Sequence, residues 1–476
     1  MAETTVLTLV DGVKIVVPNS LDLITPYVLR EQQDFFEDEL KFVRKLLGSG
    51  QKVIDIGANY GVYTLPMAQK VGSSGHVWAF EPTSSTAQIL AEGIKANAFA
   101  HVTLVQKAVS SAPGTAQLSL QRDPEANSIV HGEAVAGETE TVSVVTLDEC
   151  MDRYRWTDIE LIKIDAEGEE DNIVKGGRRF FADLSPLVQY ELRKNATDMN
   201  FGLIREFAAL GYDSYRLVPG LDILTTFDAG SKPDPYLLNL FCCKADRANR
   251  LSAQGLLARS SPAAGAEGNV SMNSGGIESN LRYHWRHSLA HLPYAASLTS
   301  AWEAAENAGN STAVIHGLSL YASSRDSEMS LSDRVRALEA SYRVLKSICE
   351  REPTRLRLSS MARAAHDYGE RAASVNALVQ LLGYIRHAGV DTSEPFLPPL
   401  ERFDAISLGE ESVRWLVAAV LEQLERRAWF SSFYMGPSAR ERLEDIHALG
   451  HGSPEMERRL ELVRLRFDNR LPQEHR

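Results

Sequence analysis

Asp55, Glu81, Asp165 and Glu191 each close a short apolar run in the first half of the chain, and each run reads as a strand. In open α/β sheets the ligand crevice lies outside the carboxyl ends of the strands, so these four acids should converge on one rim. A rim of carboxylates favours a cationic ligand. The sharpest local signal is Val53-Ile54-Asp55-Ile56-Gly57-Ala58-Asn59-Tyr60-Gly61, a strand that runs into a small-residue turn and then a helix. Its glycines would let backbone approach a ligand closely. Where a dinucleotide fingerprint sets its first glycine beside a pyrophosphate, this sequence has the Asp55 carboxylate, which repels phosphate and accepts hydrogen bonds from an ammonium group.

Glu81 follows Gly61 by twenty residues and ends the run His76 to Phe80, the place where an acid in Rossmann-like sheets grips ribose hydroxyls; Pro82 then breaks the strand. The plainer readings are a helix cap at Asp55 and an exposed strand end at Glu81. Two acids at consecutive strand ends with this interval fit S-adenosylmethionine better, since it carries an ammonium, a ribose and a sulfonium. By position, Gln106-Lys107-Ala108-Val109 after the third strand lines the adenine side, which adds Lys107 and Ala108 to the cofactor set. Leu161 to Glu170 places acids after the fourth strand. For a hydroxyl acceptor, Asp165, Glu167 and Glu191 are the candidates to orient or deprotonate it, with Lys163 more remote. A Glu-rich stretch after a strand is more often a helix N-terminus favoured by its dipole. Asp165 and Glu167 would suit magnesium as hard oxygen ligands, but no third ligand is evident and no metal site is assigned.

The elements that must position these residues alternate between β-rich and helical patterns, as in an α/β domain with a mostly parallel sheet. Val6 to Val10 and Val13 to Val17 read as a hairpin through Asp11-Gly12. Glu31 to Leu47 reads as one amphipathic helix stopped by Gly48. Five apolar runs follow, at Val53–Ile56, Val77–Phe80, Val102–Val105, Leu161–Ile164 and Leu187–Tyr190, with helices over Tyr63–Lys70 and Ser85–Asn97. Tyr212–Leu217, Ile223–Phe227 and Leu237–Cys243 close the half, and their short connections favour antiparallel pairing at one edge.

Residues 249–280 turn to Ser, Ala, Gly and Asn and read as a flexible linker between domains at 1–248 and 281–476. Beyond it the periodicity is helical. Val335, Leu338, Tyr342, Leu345 and Ile348 trace one face, Leu356, Leu358, Met361, Ala364, Ala365 and Tyr368 a second, Ala372, Val375, Leu378, Leu381 and Leu382 a third. Breaks at Glu352-Pro353 and Gly369 suit tetratricopeptide-like pairs or a plain bundle.

Composition bounds the function. The 476 residues are 44% apolar and 24% charged, a globular composition. Residues 1–250 hold 24 basic and 35 acidic side chains against 26 and 28 in the remainder, so the first half offers no basic footprint for nucleic acid. No apolar run approaches the roughly 20 residues of a membrane span, and no secretion signal is read at the N-terminus. Cys150, Cys242, Cys243 and Cys349 are sparse, as in a reduced cytoplasmic protein, where the Asn195, Asn269 and Asn310 glycosylation triplets would carry no meaning. His284, His287 and His291 lack the acid or Cys neighbours of a metal set. The aromatic cluster Trp429, Phe430, Phe433 and Tyr434 reads as helix packing before it reads as a partner surface.

Taken together, VIDIGANYG at Val53 to Gly61, AFEP at Ala79 to Pro82, TLD at Thr146 to Asp148, IKIDAEGE at Ile162 to Glu169 and QYE at Gln189 to Glu191 resemble the FkbM family of S-adenosylmethionine-dependent methyltransferases over about residues 1–245. The resemblance implies a class I methyltransferase sheet in the order 3-2-1-4-5-7-6. It further implies Asp55, Gly57, Asn59 and Gly61 at the methionine side, Glu81 on ribose, and O-methylation of a hydroxyl on a sugar, glycan or small natural product. It does not account for residues 250–476, which are left to bind the acceptor, dimerise or dock to a protein partner. Two rival readings stand beside it: a magnesium-dependent O-methyltransferase of the same fold, and a silent scaffold that keeps the ligand site without activity.

Overall fold

The computed structural model describes residues 3–130, 137–192, 201–230, 232–259, 285–309, 311–385 and 393–468. The chain forms two compact units, one of Met1–Leu217, Thr226–Pro233 and Leu237–Leu256, the other of Val218–Thr225, Asp234–Tyr236 and Leu257–Arg476.

Of a nine-stranded sheet, the first unit supplies seven strands, in the order Val102–Val105, His76–Phe80, Lys52–Ile56, Leu161–Ile164, Leu187–Glu191, Asn239–Cys243 and Asp213–Val218. Numbered along the chain this is 3-2-1-4-5-7-6. The first five are parallel, and Asn239–Cys243 runs antiparallel between its neighbours. Alternation sorts their side chains. Ile54, Ile56, Ile162, Ile164, Val188 and Tyr190 enter one apolar core with Phe180, Phe181 and Phe207. Burial of each such aliphatic side chain contributes about 1.5–3 kcal/mol. The opposite face carries Asp55, Lys163 and Gln189 in register on three adjacent strands, and two residues further along Gly57, Asp165 and Glu191.

The hairpin forms as strands Thr4–Thr8 and Lys14–Pro18, paired antiparallel. The single helix expected over Glu31 to Leu47 is instead two, Ile24–Gln32 and Asp38–Leu46. Gln33 ends the first in the left-handed region, at φ 56°. Asp34 then accepts from the Phe35 N–H and pairs with Arg44, so hydrogen bonds of the break outweigh helical periodicity there. A second sheet, unforeseen in the sequence, fills residues 108–145: Ala108–Val109, Thr139–Val145, Gly114–Ser119 and Ser128–Ile129, in that order. Ala108 is buried with Leu118, Val142 and Val144 in the core of this insertion, which removes its side chain from the crevice expected of it.

The first part of the expected linker is regular structure. Residues 249–253 end the helix Ala245–Ala253, residues 257–258 form the strand Leu257–Ala258 after a short turn, and the span from 260 to 280 lies outside the described residues. The second unit is helical apart from the parallel pair Ile223–Thr226 and Leu257–Ala258. The three expected faces become the helices Leu331–Arg351, Arg355–Tyr368 and Arg371–Ile385, with Gly369 as a left-handed cap at φ 98°. Trp285, Tyr294, Trp302, Phe396 and Trp415 meet in its core. Its buried acids are paired: Asp367 accepts from Tyr321, Arg325 and Arg363, and Glu422 lies between Arg402 and Arg426.

Candidate active site

The first loop is held by backbone hydrogen bonds that leave selected side-chain atoms open. Gly57 and Ala58 both donate their N–H to the Phe80 carbonyl at 3.0 Å, joining the ends of the first two strands. Asn59, at φ 47°, donates its N–H to Glu81 Oε2 at 3.0 Å, and Thr83 donates to Glu81 Oε1 at 2.9 Å. Glu81 therefore ties the two loops together. Burial pushes its carboxyl up to about 7 against the pull of these N–H groups.

Gly57 and Gly61 are required by packing. A Cβ on Gly57 would stand 1.7 Å from the Asp165 carbonyl oxygen, and one on Gly61 would stand 2.6 Å from Leu90 Cδ1. These glycines let strand ends and helices close on each other.

Asp55 is 1% exposed. Its Oδ2 accepts from the Thr64 hydroxyl at 2.6 Å, while its Oδ1 is buried without a partner, as is Asn59 Oδ1. Burial raises the Asp55 carboxyl above its usual range, opposed by Lys163 and the Thr64 hydroxyl. Unsatisfied buried acceptors of this kind are rare and call for a donor. An ammonium group fits them.

Lys163 lies beside Asp55, buried, with Nζ 2.7 Å from Asp165 Oδ2 and 4.7 Å from the centroid of the Tyr63 ring. Burial opposes its charge, but Asp165, Asp55 and Glu37 outweigh it and raise its pKa above the lysine range. Behind it runs a polar layer that sequence reasoning missed. Glu37 accepts from the Tyr63 hydroxyl and from Asn239 Nδ2, and Gln189 Nε2 donates to the Tyr63 oxygen at 3.0 Å. Gln189 stands two residues before Glu191 on one strand, so alternation alone could have placed it under the rim.

The Glu-rich stretch after the fourth strand divides by role. Glu170 accepts from the Ala166 and Gly168 N–H groups, Glu169 from the Ser110 hydroxyl and Asn172, and a short helix begins at Glu170. Those two acids are structural. Asp165, Glu167 and Glu191 remain, and their carboxylate oxygens can lie within 4.8 Å of one another. Glu191 thus supplies the third carboxylate that the sequence did not reveal. Burial, then Asp165 and Glu167, push its carboxyl up to about 8. Glu125, from the insertion, is raised to about 8 by burial first and then by the negative charge of Asp123 and Asp165. Nothing in the sequence pattern pointed to it.

Lys107 is half-buried at the junction into the insertion, its N–H bonded to the Val105 carbonyl. His284 and the His287 side chain lie outside the described residues, and His291 is exposed, so that triplet gathers no site among the described residues. In the aromatic cluster, Phe430 and Phe433 stack against Arg371 and Arg466, while Trp429 and Tyr434 are exposed.

Residues 55–214 match the family model described as the methyltransferase FkbM domain. The chain carries an FkbM methyltransferase domain. All of the carboxylates of the rim fall inside the match. No curated protein matches the chain. Among solved structures, an rRNA methylase from Streptococcus thermophilus is similar at 10% identity and TM-score 0.26, over 43% of this chain and 93% of that one. A SAM-dependent methyltransferase from Aquifex aeolicus gives 12% and 0.27, over 47% and 93%. A SAM-dependent O-methyltransferase from Thermotoga maritima gives 14% and 0.25, over 50% and 77%. No helix among the described residues is long and apolar enough to cross a membrane.

Proposed function

We propose that the FkbM domain transfers a methyl group from S-adenosylmethionine to a hydroxyl of a sugar, a glycan or a small natural product. The observation that carries this reading is the pair of buried, unpartnered acceptors Asp55 Oδ1 and Asn59 Oδ1 on the loop after the first strand, one strand away from Glu81. An amino acid ammonium suits the former and a ribose the latter. When bound, the donor supplies a methyl group already activated by its positively charged sulfur.

The chain's own residues then have three tasks. Asp55 and the Gly57 to Gly61 loop hold the donor's amino acid end, with Glu81 beside the ribose and Lys107 toward the adenine. Asp165 and Glu191 orient the acceptor hydroxyl, and Glu191, its carboxyl pushed up to about 8, takes up the hydroxyl proton once ionised, so transfer should quicken as pH rises toward 8. Lys163 balances the negative charge beneath them and fixes Asp165 by their ion pair. The second unit is assigned to acceptor or partner binding, and a cytoplasmic location agrees with the four free cysteines.

A second reading keeps the reaction and adds magnesium, favoured by the gathering of Asp165, Glu167 and Glu191 into one three-carboxylate cluster. One experiment separates them. Purified protein is titrated calorimetrically with S-adenosylhomocysteine and then incubated with a methyl-labelled donor and an acceptor panel of sugars, glycans and phenols, with and without chelator. Binding in the absence of metal, with label passing to an alkali-stable ether, supports the first reading. Transfer abolished by chelator and restored by magnesium supports the second. No affinity for the homocysteine compound sinks both.

A further inference from the structure

The turn that follows Glu81 is fastened from outside its own strand and helix. The helix Ser84–Ala96 begins there with Thr83 at its N-cap, but Thr83 makes no side-chain capping bond and the first helical turn holds no acid. A hydroxyl or carboxylate ordinarily meets the unpaired N–H groups of a helix start. Here the insertion of residues 108–145 supplies the carboxylate. Glu140 accepts from the Ser84 N–H through both of its oxygens, at 3.2 and 3.3 Å, and from the Ser84 hydroxyl. Asn127 Nδ2 donates to Thr83 Oγ1 at 3.3 Å. Gln106 Nε2, from the loop after the third strand, donates to Ser84 Oγ at 2.8 Å. Segments far apart in sequence thus meet on Thr83 and Ser84.

Alternation marks Glu140 as more than a surface acid. On the strand Thr139–Val145 it shares a face with Val142 and Val144, which are buried with Ala108 and Leu118 in the core of the insertion. Thr139, Thr141 and Ser143 are exposed on the other face. The one acid of this strand therefore lies on its packed side. The insertion is braced again at its other arm, where Asp123 Oδ1 accepts from the Ile24 N–H at 3.0 Å. What it holds is the mount of Glu81. Thr83 donates its N–H to Glu81 Oε1 at 2.9 Å, and Asn59 donates to Oε2 at 3.0 Å. A carboxylate offers about four acceptor sites, so two N–H groups orient Glu81 without using it up.

We infer that Glu140 is a positioning residue for the ribose contact: by holding the Thr83-Ser84 turn it aims the Glu81 carboxylate at the ribose hydroxyls, and Asn127 secures the same turn through Thr83. The inference rests on the S-adenosylmethionine reading above and adds to it a support from outside the strand-end loops. Glu140 acts through the turn and needs no contact with the ligand. Without it the Ser84 N–H and hydroxyl lose their shared acceptor, the turn is freed to shift, and the Thr83 N–H no longer fixes Glu81 Oε1 in one place. The penalty then falls on those parts of a ligand that Glu81 touches and spares the rest.

Calorimetry of the full chain with two ligands tests this: S-adenosylhomocysteine, and its analogue in which both ribose hydroxyls are replaced by hydrogen. Wild type should bind the first about tenfold more tightly or better. Glu140→Ala should weaken S-adenosylhomocysteine about tenfold and leave the analogue within about twofold of wild type, so that the preference disappears. Glu140→Gln, whose amide oxygen still accepts from the Ser84 N–H, should restore most of it. Retained affinity for the analogue shows that the Ala variant is folded. An equal loss for both ligands, no loss for either, or a Gln variant as weak as the Ala variant overturns the inference. A wild-type chain that binds the two ligands equally shows that Glu81 does not hold the ribose, and one that binds neither sinks the cofactor reading; each takes this inference with it.

Discussion

The Lys163 ammonium lies 2.7 Å from Asp165 Oδ2 and is flanked in register by Asp55 on one strand and Gln189 on the other. One buried cation thus serves the acids of both the cofactor loop and the acceptor cluster. Removing one partner of a buried ion pair leaves uncompensated charge at a cost of about 3–5 kcal/mol. Lys163→Met is expected to lose stability on that scale in urea unfolding of the ligand-free protein. A loss below about 1 kcal/mol, the range of exposed pairs, would show that Lys163 is not the charge anchor of this face.

Asp55→Asn keeps the shape of the side chain and removes its charge. S-adenosylhomocysteine should bind about tenfold more weakly or worse, equivalent to about 1.4 kcal/mol, because the ammonium loses an ionic acceptor. Titration calorimetry reads this directly, and unchanged affinity would count against the assigned orientation of the donor.

Gly57→Ala meets two obstacles together, a left-handed φ of 78° and the Asp165 carbonyl oxygen at 1.7 Å from the added methyl. Backbone strain alone costs about 1–3 kcal/mol, and the collision adds to it. The variant should melt well below wild type, whereas Gly12→Ala, with positive φ but open space around it, should cost much less.

The pH dependence has a defined sign. Glu81, Glu125 and Glu191 are raised from 4.5 in the unfolded reference to about 7, 8 and 8, by burial in each case first. The native protein holds their protons where the unfolded chain has released them. The stability they contribute is complete below about pH 4.5 and is lost as pH rises through 7 to 8. Urea unfolding of ligand-free protein between pH 5 and pH 8.5 should therefore show a decline, and Glu191→Gln should flatten it. A flat wild-type profile would contradict the buried environment of these carboxyls.

In the helical unit, Asp367→Ala removes the carboxylate that Arg363 and Arg325 share and leaves Arg363 with Asp404 and Glu401. A loss of about 3–5 kcal/mol is expected, measured as a lower midpoint of helical circular dichroism on chemical denaturation.

The strands of the sheet and the loop around Asp55 were legible because period-two burial and near-continuous apolar runs leave a direct trace in sequence, as at Val53–Ile56 and Leu161–Ile164. The gathering of Asp165, Glu167 and Glu191 was only half legible. Each acid could be named, but whether Glu167 or Glu169 turns toward Glu191 depends on the left-handed backbone at Glu167, φ 46°, which no composition rule reports. The break at Gln33 was hidden because the residues on both sides keep helical spacing. The insertion was hidden for another reason: its strands are short, polar and partly exposed, so Gly114–Ser119 carries no more β signal than a loop. Glu125 inherits that obscurity.

Residues 218–225 bear on how this chain can be cut and exchanged. Leu221 and Ile223 sit in the core of the helical unit, and Gly220 donates its N–H to the Asp367 carbonyl at 2.9 Å. A gene divided at codon 249 would carry these residues away with the catalytic fragment and leave a hole in the other product. Shuffling the tail onto a different enzyme, in the laboratory or in a genome, would have to transplant that eight-residue stretch as well.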